Sequence, residues 1–322
     1  MVANLSDIDT QQLRQMARVA RLHYEEGLRQ NEIAFKLSLS PSKVSRLLKR
    51  AASVGVVQTI VRVPDGVHAG LEEELEGKYG LSEAVVTDAQ GSHSEVLPSL
   101  ADAGSAYLET TLISPVILGV SAWSETLMSV TNRLTHGSAP RIRTVVQLDG
   151  GVGHSETQLQ SARMLERLAA VSDGEPVMVQ APGVASSKAT HDAWMREETV
   201  RHAMGLWGQA EVALLGIGAL HRSELVRSSG NYARAEDVTA LAKRGAVGDV
   251  CLRYFDSNGD PVASSFDERV VGVTLAELRQ IPRRIAVAGG AEKITAIRAA
   301  LRGGIITTLV TDLGVARELA AD

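Results

Sequence analysis

RQNEIAFKLSLSPSKVSRLLKRAA, residues 29–52, reads as two short helices joined by a tight polar turn. Gln30-Asn31-Glu32 opens the first, and Ile33, Ala34 and Leu37 give it one apolar face. Ser38-Leu39-Ser40-Pro41 breaks it. Ser40 suits an N-cap, because its hydroxyl can accept an orphan backbone N–H, and Pro41 suits the first helical position, where no N–H is needed. The second helix buries Val44, Leu47, Leu48 and Ala51 and turns Ser42, Lys43, Ser45, Arg46, Lys49 and Arg50 outward. Short polar side chains at a helix start, with cations further on, are what a DNA major groove accepts.

Working outward, QQLRQMARVARLHYEEG (11–27) supplies Leu13, Met16, Ala17, Ala20, Leu22 and Tyr24 as the third side of a small core. Gly55 ends the second helix, and VVQTIVRV (56–63) alternates as a β-wing. Residues 1–64 are therefore expected to form a winged helix-turn-helix DNA-binding domain, with Gln30, Ser40, Ser42, Lys43, Ser45, Arg46, Lys49 and Arg50 as candidate DNA contacts. A plain three-helix bundle shares the apolar pattern. What favours the DNA reading is agreement among cap, turn length, serine-rich helix start and cationic tail. Charge agrees too. Residues 1–63 carry 10 Lys+Arg against 5 Asp+Glu, and the remainder 23 against 33, so the net −5 of the whole hides a basic module on an acidic body.

At 322 residues the chain suits one small and one large domain. A hydrophobic content of 44% with only 3% aromatics implies an aliphatic core of the α/β kind. The longest apolar runs, such as VALLGIGAL (212–220), are too short to span a bilayer, and no basic stretch followed by an apolar one opens the chain, so a cytoplasmic location without membrane contact is expected. Cys251 is the sole cysteine, which excludes an intramolecular disulfide and a cysteine metal cluster. The eight histidines show no HxxxH or HxH spacing, so no metal is expected. No P-loop is present and GGVG lacks a GxGxxG continuation, so no nucleotide cofactor is expected either.

From 65 to 322 strands and helices alternate. LEEELEGKYG (71–80) is a charged helix, and AVVTD (84–88), PVILGV (115–120), RTVVQLDGG (143–151), PVMVQAP (176–182), AEVALLGIG (210–218), DVCLRYFD (249–256), RRIAVAGG (283–290) and GIITTLVTD (304–312) read as strands. Helical patterns separate them at 94–112, 121–134, 158–170, 190–204 and 236–244, then in EKITAIRAAL and LGVARELAA. Continuous apolar strands between helices predict a mainly parallel, Rossmann-like sheet covered on both faces. Ligands of such sheets bind at the carboxyl ends of the strands. Four strand ends carry small or hydroxyl residues: Gly119 to Thr126, including Ser121, Trp123 and Ser124; Asp149-Gly150-Gly151; Gly216-Ile217-Gly218; and Gly289-Gly290, with Lys293 one turn on. Hydroxyls at a helix start place donors around an anion, which the helix dipole also favours.

These residues carry a resemblance. The helix-turn-helix, together with LGVSAWSETL, GAVGDVCLRYFDSNG (245–259), RVVGVTLAEL (269–278), VAGGAEKITAIRAALRGG (287–304) and LVTDLGVA (309–316), resembles the SorC/DeoR type of sugar-sensing bacterial transcription regulators over essentially the whole chain. The resemblance implies an effector domain similar to the sugar-phosphate isomerase and deaminase folds. It implies a sugar, polyol or phosphorylated effector, and a dimer or tetramer on palindromic operator DNA. It also implies that Ser121, Ser124 and Thr126 lie in an anion loop, that Gly150 and Gly151 bring backbone close to the sugar with Gln158 or Gln160 offering amide bonds, that Asp249 accepts from hydroxyls, and that Lys293 pairs with a phosphate.

Four positions depart from the pattern, one of them Leu313, which stands where many relatives have glutamate and is given no role. Asp149 stands where some relatives have arginine, and Thr157 where one branch has a Schiff-base lysine, so neither a second phosphate nor a covalent adduct is expected. Trp123 replaces a common glycine and either packs on a sugar face or fills core. Two carboxylates, Asp149 and Asp249, suit hydroxyl recognition, since an ionised carboxylate only accepts. The expectation is a regulator of a carbohydrate or polyol catabolic operon, a repressor or an activator, and not an enzyme. The alternative is a sugar-phosphate isomerase- or deaminase-like enzyme with an attached DNA module, for which Asp149, Asp249 and His154 are the acid–base candidates.

Overall fold

The structure, a computed structural model, describes residues 9–57, 67–135, 140–220, 230 and 233–321. The chain divides into two compact units, Met1–Val63 and Pro64–Asp322.

In the first unit α1 (Thr10–Tyr24), α2 (Gln30–Leu37) and α3 (Pro41–Ser53) enclose a core of Met16, Val19, Leu22, Ile33, Val44, Leu47, Leu48 and Ala51. The turn between α2 and α3 works as its residue types predict. Ser38 takes the left-handed conformation (φ 50°), and the Ser40 hydroxyl accepts the Lys43 N–H at 3.3 Å to cap α3. Ser42, Lys43, Arg46, Lys49 and Arg50 are exposed along α3 and Ser45 is half-buried; Gln30 and Ser40 are exposed at the helix starts. Val56 and Val57 pack against this core, whereas most of the expected wing, from residue 58 onward, lies outside the described residues.

The second unit opens with α4 (Ala69–Tyr79), β1 (Glu83–Thr87), α5 (His93–Thr111), β2 (Val116–Val120), α6 (Glu125–Arg133), β3 (Ile142–Gln147), α7 (Ser155–Val171) and β4 (Glu175–Val177). It continues through α8 (Lys188–Trp194), α9 (Glu198–Trp207), β5 (Val212–Leu215), β6 (Gly218–Ala219), α10 (Ala235–Lys243), β7 (Gly248–Val250), β8 (Arg253–Phe255) and α11 (Leu275–Leu278). The last elements are β9 (Arg283–Val287), α12 (Ile294–Arg302), β10 (Thr308–Asp312) and α13 (Leu313–Ala320). Seven strands form a sheet in the order β1-β10-β9-β5-β2-β3-β4, with every pairing parallel. One apolar cluster joins Val146, Leu215, Ala286 and Leu309 to Leu75, Trp207, Ile297 and Leu319, and another joins Leu118, Leu214, Ile285 and Val310 to Leu100, Leu127 and Leu165. The sheet is thus sealed on both faces, which is why its strands read as unbroken apolar runs.

From β2 the chain builds one way, to β3 and β4. From β5 it builds the other way, to β9 and β10. The order therefore reverses between β2 and β5, which pair directly through Leu118↔Val212 and Gly119↔Ala213. In an open α/β sheet that crevice is where ligands are held.

Several expectations are corrected by tertiary packing. DVCLRYFD is not one strand but a hairpin, β7 to β8, that joins β6 in a separate antiparallel sheet. Its two-residue turn puts Cys251 (φ 51°) and Leu252 (φ 63°) in the left-handed region, a conformation for which asparagine and glycine are the usual choices. The hairpin is tied down by the buried Arg253. Its guanidinium donates to the carbonyls of Asp267 (2.8 Å), Val270 (3.1 Å), Gly272 (2.9 Å) and Val273 (3.1 Å) and to Asp267 Oδ1 (2.9 Å). The helix expected at 190–204 is two helices. α9 buries Val200, Ala203 and Trp207, whose indole donates to the Gln147 carbonyl at 2.7 Å, while α8 buries nothing. β3 stops at Gln147, β4 at Val177 and β5 at Leu215, short of the expected ends, and a 3-10 turn over Ala291–Lys293 precedes α12. Among the described residues no helix is long and apolar enough to cross a membrane, and no cluster of three metal-ligating side chains occurs.

Candidate functional site

A cavity of about 370 Å³ lies over the carboxyl ends of β2, β5 and β9, beside the reversal point and against the small sheet. Seven of the expected side chains line it: Ser121, Trp123, Ser124, Thr126, Asp149, Asp249 and Lys293.

Each is placed by the strand ends. Ser121 follows β2, and its hydroxyl accepts the Gly216 N–H at 3.1 Å, which ties the two strands of the reversal together. Gly216 must lack a side chain, since a Cβ there would sit 2.5 Å from Ser124 Oγ. Ser124 caps α6 by accepting the Leu127 N–H at 3.3 Å, and Thr126 is buried in that first turn. Asp149 is 2% exposed, and its Oδ1 accepts the Ala122 N–H at 2.7 Å, which shapes the loop after β2. Burial, and next the neighbouring Asp249, push its carboxyl up to about 7. Asp249 sits on β7 opposite Gly218, where any Cβ would collide with the Asp249 carboxylate. Trp123 is buried, its indole donates to the Gly150 carbonyl at 3.0 Å, and it forms part of the cavity wall.

The cavity wall also carries one cation and two helix starts, with the carboxylates of Glu125 and Glu292 beside them. Lys293 is half-buried; desolvation lowers its pKa, against the raising effect of Glu292, Glu125 and Asp249. His93 opens α5, with Nδ1 3.3 Å from the Gly289 carbonyl and Nε2 3.5 Å from Thr126 Oγ1. Burial, and then Lys293, lower the His93 pKa, so the imidazole is neutral at physiological pH. Cys251 also lines the wall, and burial together with Asp149 and Asp249 pushes its thiol well up, so it stays protonated.

Six expected residues are not among the lining residues. Gly119 faces Leu148, whose side chain leaves no room for a Cβ. Gly150 lies against the backbone of Pro182 and Gly183 and donates to the Val271 carbonyl at 2.9 Å. Gly151 packs on the Gln147 side chain and donates to the Val179 carbonyl at 3.2 Å. The Gln158 amide oxygen accepts the Gly153 N–H at 3.3 Å. Gly289 abuts the Asp312 carboxylate, and Gly290, at φ 99°, donates to Asp312 Oδ2 at 2.8 Å. These glycines allow close backbone approach, but to the protein's own strands and loops.

His93, Ser94, Ala219, Cys251, Leu252 and Glu292 were not foreseen as lining residues. For His93 and Ser94 a signal existed: Ser92-His93-Ser94-Glu95 follows β1 as Ser121–Thr126 follows β2, and it is a capping box. The cavity therefore combines the carboxyl groups of Asp149, Asp249, Glu125 and Glu292 with the Lys293 ammonium and the starts of α5 and α6. Such a set can accept from hydroxyls at its carboxylates and receive a single anion at the ammonium and the helix starts.

Comparison with known proteins follows the same lines. Residues 67–321 match the Sugar-bind family, a sugar-binding domain. The chain is 33% identical over 304 residues to the deoxyribonucleoside regulator of Bacillus subtilis, covering 94% of this chain and 96% of that one. It is 29% identical over 305 residues to the sorbitol operon regulator of Klebsiella pneumoniae, covering 93% and 95%. The crystal structure of the full-length sorbitol operon regulator SorC from Klebsiella pneumoniae superposes with a TM-score of 0.70 at 26% identity, over 97% of this chain and 100% of that one. A domain of a possible sugar-binding transcriptional regulator from Arthrobacter aurescens TC1 gives 0.69 at 27% identity, over 81% of this chain and 100% of that one.

Proposed function

Because this chain belongs to the family of SorC/DeoR-type regulators with a sugar-binding domain, we propose that it is a DNA-binding transcription regulator controlled by a sugar or polyol effector, free or carrying one phosphate. The observation that carries this reading is the cavity at the strand-order reversal, lined by Asp149, Asp249 and Lys293 and by the starts of α5 and α6; in this reading the two aspartates take the ligand's hydroxyls and Lys293 with the helix starts takes its anion. The exposed cations of α3 supply the output by docking in a major groove. Two copies on a palindromic operator hold half-sites about 34–36 Å apart, or multiples of this, so a small rotation of one copy against the other costs affinity. A coupling of about 1–3 kcal/mol between cavity and DNA gives a 5–150-fold response.

An enzymatic role is the second reading, favoured by the neutral-range pKa of Asp149. Against it, Asp149 is buried with one oxygen engaged by the Ala122 N–H, which makes it a poor proton carrier. The test is a thermal-shift panel of pentitols, hexitols and their monophosphates on the full chain, paired with binding to its own upstream DNA with and without each hit. A hit that changes DNA affinity supports the regulator. No hit across the panel removes the sensor reading, and turnover of a sugar phosphate promotes the enzyme.

A further inference from the structure

The start of α5 already has a local cap. Glu95 Oε2 accepts the Ser92 N–H at 2.8 Å, and the Ser92 side chain takes the N–H at the third helical position. Yet a second carboxylate sits there, from 199 residues away: Glu292 accepts the His93 N–H through Oε1 at 3.0 Å and Oε2 at 3.3 Å. Gly290 makes the approach possible, for a Cβ there would lie 2.6 Å from His93 N. Glu292 is exposed, so this contact is held at the cavity mouth and not by burial. Beside it the ammonium of Lys293, desolvated in the cavity wall, makes no hydrogen bond or ion pair among the described residues. An N–H at a helix start and an unpaired ammonium are the two halves of a phosphate site. Here one half is covered by the protein's own anion.

We propose that the Glu292 carboxylate is an internal stand-in for the phosphate of the effector. A phosphate monoester takes the His93 N–H and pairs with Lys293, and Glu292 rotates out to solvent because two anions cannot share one donor at this range. Glu292 thereby sets a threshold. It weakens phosphorylated ligands by the fraction of time it holds the donor, and so makes the response start at a higher effector concentration. This rests on the effector-cavity reading above and assigns the chemistry of one end of it.

The test is calorimetric titration of the full chain with inorganic phosphate and with sorbitol 6-phosphate, sorbitol being the unphosphorylated comparison. If the carboxylate holds the donor about nine-tenths of the time, Glu292→Ala, which removes the competing acceptor, tightens both phosphate probes about ten-fold. A second pair guards against a misleading result from one variant. His93 is the first residue of α5, where proline is tolerated, so His93→Pro deletes the contested N–H while His93→Ala keeps it. In the Glu292→Ala background phosphate binding is expected to be weaker with His93→Pro than with His93→Ala, and the gain from Glu292→Ala to vanish in the proline background. Phosphate bound no tighter by Glu292→Ala, or equally by the two His93 variants in that background, overturns the stand-in role. If sorbitol binds while both phosphate probes are ignored by every variant, the stand-in falls and the cavity reading remains; if nothing binds, both fall.

Discussion

Asp149→Asn isolates the buried carboxyl of the candidate cavity. An unfolded chain releases that proton near 3.8, whereas the fold holds it until about 7. Between those values the folded state binds more protons than the unfolded one, so the stability contributed by neutral Asp149 is complete below the lower value and is lost as pH rises through the upper one. From pH 5 to pH 8 the loss spans about two units at about 1.36 kcal/mol each, roughly 2–3 kcal/mol. Asparagine keeps a carbonyl for the Ala122 N–H, 2.7 Å away in the parent, and has nothing to ionise. Thermal melts of parent and variant at pH 5 and pH 8 are therefore expected to diverge. The melting temperature of Asp149→Asn, measured against the parent, rises by roughly 5–10 °C more at pH 8 than at pH 5, at about 2–4 °C per kcal/mol for a domain of this size. An offset that is the same at both pH values would show that burial does not control this proton.

Three further outcomes are expected. Arg46→Ala and Lys49→Ala each weaken operator binding and reduce the slope of log affinity against log salt by about one per lost phosphate contact, leaving ligand-induced thermal shifts unchanged; gel shifts at several salt concentrations read this out. Gly218→Ala drives a Cβ into the Asp249 carboxylate, so ligand affinity falls at least about ten-fold in calorimetry with a stability loss of about 1–3 kcal/mol. Arg253→Lys abandons most of the bonds to Asp267, Val270, Gly272 and Val273 and is expected to cost about 3 kcal/mol in urea denaturation, with weaker ligand binding because Asp249 rides on the same hairpin.

The N-terminal unit was legible residue by residue because its signals are local. Ser40, Pro41 and the apolar spacing of α3 specify a helix start and a buried face within one turn of themselves. In the large unit the strand-end rule found Ser121, Ser124, Thr126, Asp149 and Lys293, and the family resemblance added Asp249, all lining residues. It also pointed to Gly150, Gly151, Gly289 and Gly290, because a glycine shows only that something comes close. The neighbours proved to be Pro182, Gln147, Asp312 and His93. The hairpin of β7 and β8 was missed because Cys251-Leu252 carries none of the residues that favour its turn, and the bonds that hold it come from Arg253 to a segment up to twenty residues onward.

What the sequence by itself determined is therefore short-range: caps, helix faces, apolar strands, and the separation of a basic module from an acidic body. These depend on sterics and burial within a few residues. The tertiary structure alone decided that β2 and β5 lie side by side at the reversal, bringing Ser121 to Gly216, and that Asp149 is buried enough beside Asp249 to keep its proton near neutral pH. It also set Glu292 on the first N–H of α5, 199 residues away. Such pairings follow from strand order and desolvation, which belong to the packed whole and leave no mark on the residues that take part.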